Sequence, residues 1–140
     1  MKTFITYLTK SSVISIVLLL LAGCYVSVSL KDRPWARHFI GSWKVNHDLI
    51  FEQTKAGWGV DGFLHERRGG NDAFYGEKAI VLNTGQVITI CDVATAFTET
   101  GRHYSLIGQF ESDGNSYKFA ITQINPKAGL EQIAWITKIK

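Results

Sequence analysis

Cysteine, proline and net charge are all scarce in this 140-residue chain, which has two cysteines, two prolines and a formal charge of +3. Two thiols cannot staple a mini-protein, so the fold must rest on its own core. The small charge gives no case for nucleic acid as a partner. Catalytic signatures are missing as well: the chain has no H-E-x-x-H, C-x-x-C or G-x-S-x-G motif and no Gly-rich phosphate loop. His47-Asp48 and His65-Glu66 set a carboxylate beside a histidine, but strand neighbours point to opposite faces, so adjacency alone builds no dyad. A metal site from His47, His65 and His103 would need three strands to converge, and solvated histidines on polar faces are the plainer expectation. Arg67-Arg68 beside Gly69-Gly70 reads as a solvated hairpin tip. The composition points away from an enzyme and from any catalytic or metal-ligating set.

The chain does have one apolar run near its start. Residues 13–24 read Val-Ile-Ser-Ile-Val-Leu-Leu-Leu-Leu-Ala-Gly-Cys, with Lys2 and Lys10 before them. A basic flank, an apolar stretch and small residues at its end are the layout of a secretory signal. The run of about 11 apolar residues is well short of the ~20 that a spanning helix wants. Leu21-Ala22-Gly23-Cys24 resembles the lipobox of bacterial lipoproteins. The resemblance implies a diacylglyceryl group on the Cys24 sulfur, cleavage between Gly23 and Cys24, and acylation of the new N-terminus. A thiol suits that role as the strongest nucleophile among ordinary side chains. Covalent lipid at Cys24 is then the only non-protein group expected, with no other cofactor, and the membrane is a partner through this anchor. Tyr25, standing where an aspartate would favour retention in the inner membrane, looks like an outer-membrane address, with the protein on the periplasmic face of the cell envelope.

Three parts follow: a helical signal peptide over 1–23, a lipidated tether over 24–39 and one domain over 40–140. Removal of the signal leaves 117 residues, enough for a single core. It also removes Lys2 and Lys10, so the mature charge is near +1. The tether contains Pro34 and no clear period, and its fourteen residues over 25–38 would reach at most ~46–50 Å before Trp35 and Phe39 dock on the domain. With Cys24 lipidated, Cys91 is left without a disulfide partner. Its setting, Val87-Ile88-Thr89-Ile90-Cys91-Asp92-Val93, reads as an apolar strand holding a buried, inert thiol.

From residue 40 the pattern is that of an all-β protein. Turn signals containing Gly69, Gly85, Gly101, Gly114 and Gly129 recur at steps of 16, 16, 13 and 15 residues. Each gap holds one strand and a tight connection, with no interval left for a crossover helix. Alternation supports this: Tyr104, Leu106, Gly108 and Phe110 share a face, as do Tyr117, Phe119 and Ile121, and as do Ile133, Trp135 and Ile139. Counting 48–54, which reads as strand or short helix, the expected strands are 40–47, 49–54, 58–66, 74–82, 86–97, 102–111, 116–124 and 131–139. An eight-stranded antiparallel meander closing into a small barrel leaves no free edge. An open sheet with one helix across its apolar face is the alternative.

Gly41-Ser42-Trp43 at the first strand resembles the G-x-W opening of lipocalins and their bacterial lipocalin-like relatives. The resemblance implies a lipocalin-like barrel, Trp43 plugging its closed end, and a small apolar ligand inside. Lys138 stands near where that family has an arginine, and no T-D-Y-like segment is found. The aromatics expected to line such a pocket are Trp43, Trp58, Tyr104, Phe110, Phe119 and Trp135. Their plain alternative is to fill a barrel just wide enough for side chains. Thr100-Gly101-Arg102-His103-Tyr104 is similar to the S-G-x-x-Y loop of the membrane-bound inhibitors of c-type lysozyme, small β-barrel lipoproteins that insert this loop into the enzyme. That implies a partner-binding loop at 100–104. The chain is thus expected to bind an apolar molecule, or to inhibit an envelope-directed enzyme, or to serve structurally with a filled barrel.

Overall fold

A computed structural model describes residues 27–54, 59–67, 79–98 and 101–140. The signal peptide, Leu21 to Cys24, Trp58, Thr100, the 68–72 turn and the first residues of the expected 74–82 strand lie outside them. The described chain is mostly strand, arranged as one strongly curled half-barrel sheet. The strands are β1 (Val28–Ser29), β2 (Gly41–Val45), β3 (Leu49–Gln53), β4 (Gly62–Glu66), β5 (Ala79–Leu82), β6 (Val87–Thr98), β7 (Gly101–Ser112), β8 (Asn115–Ile124) and β9 (Ile136–Lys138). Two 3-10 turns, Ala36–His38 and Leu130–Ile133, are the helical elements among the described residues. Residues 49–53 are strand, which settles the ambiguity there.

The sheet order is β5-β3-β4-β8-β7-β6-β2-β9, with β1 also on β6. This corrects the simple meander. Only β3–β4, β6–β7 and β7–β8 join chain neighbours antiparallel, and β4 lies parallel to β8 through Gly62↔Phe119 and Phe63↔Ala120. Among the described residues β5 and β9 end the order, and no pairing joins them. Meander logic assumes that each strand pairs with its predecessor. Here β3 instead takes β4 on one edge and β5 on the other.

β6, β7 and β8 form the long middle of the sheet. The β7–β8 turn is Asp113-Gly114, flanked by Ser112↔Asn115, and both turn residues have positive φ (49° and 75°). Two positive φ values in a two-residue loop match the right-handed strand twist, and a glycine carries the second without penalty. Two irregularities curl the strands. One extra residue, Cys91, sits between the Ile90↔Gly108 and Asp92↔Ile107 pairs. The other lies on β8, where Gln123 has φ 62° between the Leu106↔Ile121 and Tyr104↔Ile124 pairs. A bulge bends its strand and increases the local twist.

The bulge at Cys91 also shifts the alternation. Ile88 and Ile90 point into the core before it, and Val93 and Thr95 after it. Cys91 is therefore exposed, with its thiol 3.4 Å from the Ile107 carbonyl, and the expectation of a buried thiol is corrected. The C-terminal region differs too. A 3-10 turn occupies 130–133, β9 is only three residues long, and Ile136 is the residue that faces inward, while Ile139 is 44% exposed. The shared face expected for Ile133, Trp135 and Ile139 is broken by the change from 3-10 to extended geometry.

The tether is shorter than its composition suggests. Val28 and Ser29 pair with Thr95 and Ala94, and the Leu30 amide donates to the Val93 carbonyl at 2.7 Å. Ala36 and Phe39 are buried in the core, and Trp35 packs edge-on against Tyr104 with centroids 5.8 Å apart. Residues 28–39 thus belong to the folded domain.

Gly108 lies where β7 passes under the Phe119 ring. A Cβ there would collide with that ring and with the Thr89 carbonyl, which is backbone and cannot step aside. Gly108→Ala should therefore lower stability by roughly 1–3 kcal/mol, read as a lower urea midpoint at unchanged slope.

Candidate functional site

The concave face of the sheet is closed by its own aromatic side chains. Phe51 of β3 meets Phe110 of β7 edge-on at 5.0 Å, and Phe110 stacks on Tyr117 of β8 at 5.4 Å with a 24° interplanar angle. Phe119 lies 6.2 Å from Phe110. Offset and edge-on contacts of this kind stabilise beyond the area they bury. Of the aromatics singled out as pocket lining, Trp43, Phe110, Phe119 and Trp135 are buried in one core cluster, and Tyr104 packs half-buried at its margin. Phe51 and Tyr117 belong to the same contacts and were not in that set. Phe51 escaped notice because residues 48–54 read as strand or helix equally well. The Tyr117 alternation with Phe119 was visible, and it was the signal that could have found this residue.

Trp43 is fixed at both ends. Its indole N–H donates to the Phe39 carbonyl at 2.8 Å inside the core. Lys138, opposite Trp43 in the β2–β9 register, holds its Nζ 5.9 Å from the ring centroid and donates to the His38 carbonyl at 2.8 Å. The last strand and the 3-10 turn before β2 are thereby tied across one tryptophan.

The histidines occupy the outside. His47 Nε2 lies 2.9 Å from Glu66 Oε1, His65 Nε2 lies 3.6 Å from Glu52 Oε2, and Arg67 lies 3.8 Å from Asp48. These pairs lie on and beside β3 and β4 and are about half exposed, so each adds little stability. His103 is on β7. Among the described residues, no group of three or more His, Cys, Asp or Glu side chains is placed to hold a metal ion. Arg102 is exposed, whereas Tyr104, the last residue of the 100–104 loop, is held under Trp35.

Concavity appears elsewhere. An open depression of about 590 Å³ is lined by Gln53, Thr54, Val60, Asp61, Asn115, Ser116 and Tyr117. Parallel pairing of β4 with β8 creates it, by setting the residues before Gly62 beside the start of β8. Asp61 is held firmly: its amide donates to the Lys118 carbonyl at 2.8 Å, and its carboxylate accepts from the Lys118 amide at 2.7 Å. Amide, hydroxyl and carboxylate groups around one tyrosine edge suit a polar ligand rather than an acyl chain. None of these residues was singled out from the sequence, because no local pattern places Asp61 beside Asn115.

Two outcomes are expected. Lys138→Met should cost about 0.5–1 kcal/mol by removing the cation over Trp43, and Lys138→Arg should retain most of it, both measured by denaturant unfolding. Cys91 in the folded protein should react with a maleimide nearly as fast as a free thiol does, checked by mass after brief labelling. No protein-family model matches this chain, and neither does any curated protein or solved structure.

Proposed function

We propose that this is a lipid-anchored protein of the cell envelope that acts by binding, through its outer surface rather than through a hollow interior. Export and anchoring are carried by the lipobox-like Leu21-Ala22-Gly23-Cys24, with lipid on Cys24. Tyr25 in place of aspartate favours the outer membrane and its periplasmic face. A lipocalin-like kinship is supported by Gly41-Ser42-Trp43, while Lys138 departs from the arginine expected near the chain's end. The parallel β4–β8 pairing is a departure from that pattern.

One observation carries the choice of surface over interior. Trp43, Phe110 and Phe119 are each no more than 3% exposed and belong to one packed core cluster. A small apolar ligand would have to displace this packing. The polar depression around Asp61 needs no such rearrangement. The 100–104 loop is a weaker site for a partner, since Tyr104 is occupied by Trp35.

Cys24→Ser should abolish incorporation of radiolabelled palmitate and leave the signal uncleaved, and a variant still marked by palmitate would sink the anchor. Native mass spectrometry of the detergent-extracted protein should show covalent acyl mass only. A co-purifying, dissociable lipid would favour a hollow interior instead.

A further inference from the structure

The N-terminal strand enters the sheet at the end where β6 and β7 meet. Val28 lies opposite Thr95 and Ser29 opposite Ala94, and β1 runs antiparallel to β6. Followed backwards from Ser29, β1 leads toward Thr98, which is paired with Gly101 of β7. β1 is pinned there by the Leu30 amide on the Val93 carbonyl at 2.7 Å and by Ser29 Oγ donating to Asp92 Oδ1 at 2.8 Å. Four residue steps separate Cys24 from Val28, at most ~14 Å of chain. Val28 stands three residues short of the Thr98 level, about 10 Å at the strand rise. The Cys24 sulfur can therefore lie at most just beyond this end of the sheet.

The opposite end is distant. β7 runs from Gly101 to Ser112, about 36 Å at ~3.3 Å per residue, and ends at the Asp113-Gly114 turn. The depression holding Asn115, Ser116 and Tyr117 belongs to that far end.

We propose that the Thr98–Gly101 end of the sheet rests on the phospholipid headgroups, and that the Asp113-Gly114 end with its polar depression points away from the bilayer. The proposal rests on the lipid-anchor reading of Cys24. At the near end Val28, 51% exposed, supplies an apolar contact to the headgroup layer, and Arg102 of β7 is exposed as well. The length of chain sets the contact, rather than attraction to anionic lipid. Added salt should therefore leave the orientation unchanged. The arrangement also leaves too little clearance for an enzyme to close over Arg102 and His103, whereas the far depression is open to a soluble ligand.

The test uses acylated full-length protein, its lipidation confirmed by mass, in vesicles of phosphatidylethanolamine and phosphatidylglycerol. In a C91S background, R102C should react several-fold more slowly with a membrane-impermeant maleimide than E111C, which sits near the far end of β7. A long Gly/Ser insertion after Val26 should bring the two rates together. In the unsubstituted protein, vesicle binding should lower hydroxyl-radical oxidation of His103 and leave that of Tyr117 unchanged. If acylation is confirmed and R102C reacts as fast as E111C, or His103 is oxidised equally with and without vesicles, the orientation is overturned while the anchor stands. Absence of acyl mass overturns both.

Discussion

The architecture depends on β6 being paired on both of its edges. One edge carries β7. The other carries two separate segments placed end to end, β1 against Ala94 and Thr95 and β2 against residues 87–90. Residues 30–40 leave the sheet between these two contacts, and their excursion buries Ala36 and Phe39 and brings Trp35 onto Tyr104. An edge strand left bare over half its length would invite pairing with another chain. The N-terminal segment covers Val93, Ala94 and Thr95 of that half, so what reads as linker extends the sheet.

Local chemistry was legible in the sequence wherever it is local in space. The Asp113-Gly114 hairpin, the alternation through Leu106, Gly108 and Phe110, and the docking of Trp35 and Phe39 all follow from turn preference and period-two patterning. What failed was parity and long-range pairing. Cys91 was misread because one inserted residue flips every side chain after it, and nothing in Ile90-Cys91-Asp92 announces the insertion. The β4–β8 pairing joins residues more than fifty positions apart, a contact that a single sequence does not encode in any short pattern.

The candidate site shows the same division. The aromatics were found because large rings at alternating positions stand out, and the structure places most of them in packing. The depression around Asp61 and Asn115 depends on the parallel pair and was invisible for that reason. Trp43 and Lys138 lie between these cases. The three-residue Gly41-Ser42-Trp43 signal drew attention to the tryptophan, and only the β2–β9 register shows that the lysine covers it.

The antiparallel docking of β1 on β6 also has a mechanical side. A pull applied to the chain ahead of Ser27 acts along the β1 axis, so the Val28 and Ser29 pairing, the Leu30 amide bond and the Ser29–Asp92 contact are strained together rather than one after another. Shear of this kind resists force better than unzipping does. A tug on the domain would therefore be met first by a small clamp at its point of attachment, before the aromatic core feels any of it.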